Sequence, residues 1–381
     1  MKKIAIIGGG ISGLYIANLL RQNPNYETTI YEKNDSINLE KGYGIQLSVN
    51  SIKLLNRIGF QNINFQEKFF PNKINFYSSK NKICDLNISA FNDHDNKYTT
   101  LQRFTLIDFL KNKIPSNSIN YNKKVIEVQN NSVVTKIVFE DNSFIECDYL
   151  IISDGIFSKT RSLIANKEIK PKYFNSIALR GSIDQNNLQY IDHNNITLLL
   201  GSNLHSVVYP VNQHGQFNFV TILRKKLNSK ELADYSLFNS KEFISSTLLE
   251  ISKQVDSNIV KNLKDIRCFP IFVSKEISQP KNKNIYIIGD AFFAFPPTFA
   301  QGASQSIEVA HELYQNLENV NNQFNKERIK RTKMIARKSR FNYFAFHISN
   351  PLMSSVRDIL MRNLIKNRKF IDSYLGKIYK N

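Results

Sequence analysis

The stretch KKIAIIGGGISGLYIANLLRQ, Lys2 to Gln22, begins as a short apolar, β-rich run, breaks into glycines and continues with apolar residues at helical spacing. ETTIYEK, Glu27 to Lys33, follows as a second strand. Strand, turn, helix and strand make a βαβ unit, whose crossover brings the two strands together in parallel. The turn has its own chemistry. Gly8, Gly10 and Gly13 form G-x-G-x-x-G: the first makes the tight turn, the second lets the backbone approach a pyrophosphate, and the third lets helix and strand pack, while the helix N-terminus faces the phosphates. Glu32 follows Gly13 by 19 residues, at the end of the second strand, where its carboxylate would accept hydrogen bonds from ribose hydroxyls and repel a 2′-phosphate. The unit predicts a bound dinucleotide without choosing between FAD and NAD.

Two more strand ends carry polar turns. CDYLIISDG, Cys147 to Gly155, runs into a loop and the helix-like IFSKTRSLI, and NKNIYIIGDA, Asn282 to Ala291, ends at Gly289-Asp290. Between them the pattern changes to alternating runs, NITLLLG, HSVVYPV and QFNFVTIL, which suit an antiparallel sheet. The expected fold class is α/β: a Rossmann-like domain with a parallel sheet, interrupted by a mostly antiparallel β-sheet domain, plus C-terminal helices.

The composition agrees with a large folded protein. At 381 residues with 42% hydrophobic content, two domains are expected. Three cysteines, Cys84, Cys147 and Cys268, fit neither a disulfide framework nor a zinc site, and are read as buried reduced thiols; no metal constellation stands out. MKKIAIIGGGISG imitates a signal peptide, but its glycines break the apolar run early, so a cytoplasmic location is expected. No run reaches the roughly 18 apolar residues needed to span a bilayer. The net charge of +19 is concentrated late, with 15 Lys/Arg against 3 Asp/Glu from Asn322 to Asn381. No nucleic-acid-binding motif accompanies it, so no nucleic-acid partner is expected. KERIKRTKMIARKSR, Lys326 to Arg340, precedes the apolar patches FNYFAFHI and PLMSSV. Adjoining helices there would make either a solvated cap on the dinucleotide domain or a cationic surface for peripheral contact with the inner membrane face.

Four segments in order, GYGIQLSVNSIKLLNRIGF, LQRFTLIDFLK, CDYLIISDGIFSKTR and GDAFFAFPPTFAQGASQSIE, resemble those of the single-component FAD-dependent aromatic monooxygenases, most of all the salicylate hydroxylase-like branch. The resemblance implies non-covalent FAD, NADH or NADPH as a transient co-substrate, and O2, inserted through a flavin C4a-hydroperoxide into a small aromatic substrate. It places FAD on residues 1–70, 101–170 and 281–320, the substrate domain on 71–100 and 171–280, and a basic helical region at 321–381. It puts Asp290 on the ribityl chain, Gly302 and Ala303 under the flavin ring, Arg103 near phosphate and ribityl groups, and Asp154 and Gly155 in a cofactor-binding turn. Ser12, Lys33, Gly44, Val125 and Pro297 join Gly8, Gly10, Gly13 and Glu32 as cofactor-contacting positions. Arg161 reads as a phosphate contact or a solvated helix arginine. Strands resembling the substrate cavity carry Arg180, able to pair with a carboxylate, and His205 and Tyr209, able to deprotonate or orient a phenol.

The histidine that many relatives place after Gly-Asp-Ala is Phe293 here, which keeps open a flavin-binding protein without hydroxylase activity. A ubiquinone-pathway ring hydroxylase at the membrane surface is a second rival. A halogenase is disfavoured because the chain has no tryptophan for the expected Trp-x-Trp. The expected assembly is a monomer or a homodimer.

Overall fold

Runs of two to six residues, too short for helices, form the first sheet in a computed structural model that describes residues 1–37, 43–78, 81–131, 133–277, 280, 282–319 and 324–380. Strand β1 (Lys2–Ile7) pairs in parallel with β2 (Tyr26–Tyr31) and β12 (Tyr149–Ile152). β8 (Ile119–Asn120) and β18 (Ile285–Ile287) extend the two sides, in the order β18-β12-β1-β2-β8. The crossover helix α1 (Ile11–Leu20) is buried from Ser12 to Leu20, because the sheet covers one side of it and α3 (Arg103–Asn112) and α9 (Gly302–Asn319) cover the other. On the opposite face, Ala5, Ile7 and Ile152 pack on Ile137 and Phe139 of a three-stranded antiparallel sheet, β9 (Val125–Asn130), β10 (Thr135–Phe139) and β11 (Phe144–Cys147).

The alternating runs form a seven-stranded sheet in the order β17-β13-β16-β15-β14-β5-β6. Its members are β17 (Lys264–Val273), β13 (Lys172–Asp184), β16 (Gln216–Arg224), β15 (Leu204–Pro210), β14 (Ile196–Gly201), β5 (Lys73–Ser78) and β6 (Asn81–Asn87). Every neighbouring pair is antiparallel except β14 with β5. Period-two alternation then sorts side chains to two faces. Leu179, Leu204, Phe217 and Phe219 turn to a back face packed by Phe243 and Ile251 of α6 (Lys241–Ser252) and by Ile259 and Val260. Ala178 and Ile222, and with them by parity Arg180 and Asn218, turn to the front.

A small antiparallel sheet joins the two units: β3 (Gly44–Leu47), β7 (Thr99–Gln102) and β4 (Lys68–Phe69). β3 contacts α9 on one side and β16 on the other, and it leads into α2 (Val49–Asn56). The basic segment differs from expectation. FNYFAFHI is not a separate patch, because α10 runs unbroken from Phe324 to Phe346. Its inward side is held by charge: Arg328 and Arg331 both pair with Glu308 of α9. α11 (Pro351–Lys366) then packs on β6. Cys147 and Cys268 are buried free thiols, whereas Cys84 is only half-buried. Among the described residues no helix is long and apolar enough to cross a membrane.

Candidate functional site

Four turns meet at the C-terminal edge of the parallel sheet, where open α/β sheets bind ligands. The first is the glycine turn. Gly8 holds φ at +102°, left-handed backbone that favours glycine. Beside it the Glu32 carboxylate, 8% exposed, accepts from the Gly9 N–H at 2.8 Å through one oxygen and from the Asn34 backbone N–H and side-chain amide through the other. Lys33, next in sequence, is exposed, and Val125 packs in the core beside Ile137 and Phe139.

The second turn is Asp154-Gly155, with Gly155 at φ +82°. The Thr160 hydroxyl donates to Asp154 Oδ2 at 2.9 Å, while Oδ1 is buried with no protein partner. Burial raises the Asp154 carboxyl, opposed by the Ser158 and Thr160 hydroxyls. Arg161 is neither a phosphate contact nor a solvated arginine. It is 2% exposed, and its guanidinium donates to Ala291 O at 2.5 Å and Ile156 O at 3.3 Å, clamping this turn to the third.

The third turn departs from the expected strand end. β18 stops at Ile287, Gly289 turns left-handed at φ +61° with Ser12 Oγ against it, and Asp290 stands in the first turn of a short helix, Gly289–Phe292. Surrounding protein atoms push the Asp290 carboxyl up to about 6, with the Arg103 guanidinium opposing, yet the side chain stays open to water. Phe292 and Phe293, 4% and 8% exposed, pack in the core with Ala291 and also line a small cavity with Asp290 and Gly302.

The fourth turn is Pro297 to Ala303. Pro297 and Gly302 are exposed and Ala303 is half-buried. Ala300 holds φ +49°, a left-handed geometry that costs an L-residue on the order of 1–3 kcal/mol and persists only under constraint. The constraint is visible: the Thr298 hydroxyl donates to Ser339 O at 2.5 Å, and Asn342 Nδ2 donates to Thr298 O at 3.2 Å, both from α10. The first turn of α9 is pinned as well. Arg328 donates to Gln305 Oε1 at 2.7 Å, Gln305 to Gln301 Oε1, and Gln301 to Ser48 Oγ, all buried. Sequence reasoning missed Arg328, which stands among many lysines and arginines with nothing local to set it apart.

On the front of the seven-stranded sheet, Arg180 and Tyr209 face the same region, with Arg180 lying 5.5 Å from the Tyr43 ring centre. Asn218, paired across from Tyr209, accepts from the Gly44 N–H at 2.6 Å and leaves its buried Nδ2 without a protein partner. Its signal was present but faint: a polar residue at the front-facing parity of QFNFVTIL. Gly44 packs so tightly here that an added Cβ would lie 2.8 Å from the Tyr209 ring. Burial raises the Tyr209 phenol far above its usual value, with Arg180 and Gln46 opposing, so it stays protonated. The structure does not bring His205 to this group. It is 2% exposed, meets His347 Nε2 at 2.7 Å and packs on Phe346, and burial pushes both rings down so that they are neutral.

The family model described as "FAD binding domain" matches residues 1–338. The chain belongs to that family. It is 23% identical over 369 residues to a 3-amino-4-hydroxybenzoate 2-monooxygenase of Streptomyces platensis, covering 93% of this chain and 91% of the other. It is 21% identical over 338 residues to a salicylate hydroxylase of Pseudomonas putida, covering 82% and 76%. The fold matches that of Klebsiella pneumoniae HpxO complexed with FAD and uric acid, at a TM-score of 0.81 and 16% identity over 98% and 97% of the two chains.

The residues of this flavoprotein fit FAD. A Cβ built on Gly10 or Gly302 meets no protein atom within 4 Å, so both backbones are open to close approach. The orphaned Asp154 Oδ1 and the accessible Asp290 offer acceptors for hydroxyls, and the α9 N-terminus offers N–H donors and positive partial charge. The chemistry FAD supplies when bound is two-electron transfer from NAD(P)H to O2, one oxygen atom entering a substrate and the other leaving as water.

FAD affinity should weaken as pH falls through about 6. Hydroxyl donors favour the carboxylate of Asp290 and lower its pKa in the complex. Binding therefore releases a proton in that window, and affinity declines by up to about tenfold per unit below it. Fluorescence titration of the apoprotein across pH would show this decline in the wild type and its loss in Asp290→Asn. Parallel pH profiles for the two proteins would refute it.

Proposed function

We propose that this FAD- and NAD(P)H-dependent monooxygenase hydroxylates a small aromatic acid carrying an electron-donating hydroxyl or amino group. The observation that carries this reading is the front-face cluster of Arg180, Tyr209 and Asn218, whose Nδ2 has no protein partner, one strand away from the α9 turn across β3. Arg180 supplies a charge for a carboxylate. Tyr209 is held as a phenol, so it donates a hydrogen bond rather than taking a proton, and Asn218 Nδ2 donates a second. Neither these groups nor His205 supplies a base, which favours a ring already rich in electrons over one that must be ionised by the protein.

The test measures NAD(P)H oxidation and product formation together, in wild type and Arg180→Ala, on hydroxybenzoates and on phenols without the carboxyl. KM should rise by about tenfold or more for the carboxylated substrates, the equivalent of about 1.4 kcal/mol, and little for the neutral ones. Equal losses on both would remove Arg180 from the carboxylate role. A wild-type rate that no aromatic acid or phenol stimulates would sink the aromatic hydroxylase reading.

A further inference from the structure

α11 presents an apolar face to water while its opposite side is fastened to the body of the protein. Leu352 is 79% exposed, Val356 49%, Ile359 55%, Leu360 53% and Leu364 37%, a spacing that places them on one stripe, with Met353 beside them at 52%. Exposed leucines scattered singly need no explanation, but a contiguous stripe does. The stripe is not the result of a loose end. Arg357 is 6% exposed and donates to Ala345 O at 3.2 Å, Arg362 donates to Ile83 O at 3.1 Å, and Met361 and Ile365 pack against the cluster that holds Phe76 and Ile83. The last turns of α10 add Phe341 and Phe344, 60% and 61% exposed.

Charge says what this face would meet. Exposed Lys366 stands on α11, Arg368 and Lys369 follow it, and Lys330, Lys333, Arg337 and Arg340 line the exposed side of α10. The acids of α11 and the residues after it are Asp358, paired with Arg357, and Asp372, paired with Lys380. A second copy of this +19 chain meeting the same face would set one cationic rim against another, a repulsion that opposes dimerisation there. An anionic lipid surface answers both features, taking the aliphatic stripe at the acyl boundary and the cations among its headgroups. We infer that α11 is an interfacial helix by which the protein docks on anionic bilayers.

The experiment uses the full-length holoprotein and vesicles of phosphatidylcholine alone or with roughly 30% phosphatidylglycerol. The protein should float with the anionic vesicles, dissociate as salt is raised to about 0.5 M, and ignore the neutral ones. The variant Leu352→Glu/Ile359→Glu/Leu360→Glu should lose partitioning by about tenfold or more, while FAD content and unstimulated NAD(P)H oxidation stay as in wild type. Equal flotation of variant and wild type, or none for the wild type, would overturn the inference. So would a wild-type dimer that the variant dissociates without any lipid binding, which would assign the face to a second copy. Retained FAD with lost flotation separates a failure here from a failure of the monooxygenase reading.

Discussion

Gly13→Ala is expected to unfold much of the protein, whereas Gly10→Ala, three residues away, should leave the fold intact and remove FAD. A Cβ on Gly13 would sit 2.1 Å from the Gly8 carbonyl oxygen and 2.6 Å from Ser153 Oγ. Neither neighbour can yield: Gly8 is backbone, and the Ser153 hydroxyl is tied to Ile7 O and Gly8 O at 2.9 and 3.0 Å. Overpacking of this kind costs about 1–3 kcal/mol and more when backbone must move. The helix would then part from β1 and β12 at the centre of the sheet. Gly10 has extended backbone, with φ −81° and ψ −175°, and its added Cβ would touch no protein atom. The methyl group would instead occupy the approach that a pyrophosphate needs. Thermal unfolding of the apoproteins and FAD titration separate the two effects. Gly10→Ala should melt within about 0.5 kcal/mol of wild type and bind FAD at least about tenfold more weakly. A Gly13→Ala protein as stable as wild type, or a Gly10→Ala protein with undiminished affinity, would contradict the assignment of these two glycines.

Replacing Glu308 by Ala should destabilise the protein by about 3–5 kcal/mol, the effect expected when one member of a buried ion cluster is removed and its partners stay charged. Arg328 and Arg331 have side chains 2% and 10% exposed, and both direct their guanidinium groups at Glu308. Glu312, with its side chain 32% exposed, is the other carboxylate beside Arg328. The exposed pair Lys167–Glu276, with both side chains more than half exposed, makes the contrast: Glu276→Ala should cost at most about 1 kcal/mol. Because Arg328 also holds Gln305 in the first turn of α9, Glu308→Ala should loosen FAD as well as the fold. A triple replacement, Glu308→Leu with Arg328→Met and Arg331→Met, should recover much of the loss, because both buried cations leave with the carboxylate they share. An unchanged melting temperature in Glu308→Ala would show that the cluster contributes nothing to docking α10.

The basic C-terminal segment therefore divides its charge between two tasks. Arg328 and Arg331 point inward, Arg328 holding Gln305 in the first turn of α9 and Arg331 holding Glu308, and Lys338 donates to Ser373 O and Tyr374 O. Lys330, Lys333, Arg337 and Arg340 line the outer side of α10, and Lys366 stands exposed on α11. A sequence count of +12 over this region could not separate the two groups, because helical residues two positions apart already point in different directions.

What the sequence determined by itself was local and periodic. G-x-G-x-x-G between a β-rich run and a helical one, and Glu32 at the next strand end, are each set within a few residues, so turn geometry and dipole orientation follow from residue identity alone. Period-two alternation similarly announced the second sheet. Periodicity says that a face is covered, but not by what. His205 and Asn218 sit on front-facing positions of adjacent strands, yet one is enclosed by His347, 142 residues away, and the other is held open by Gly44, 174 residues away. The same blindness applied to Arg161, whose acceptor lies 130 residues on at Ala291. Contacts between distant segments depend on how whole elements stack, and that stacking is decided by the summed burial of the tertiary fold.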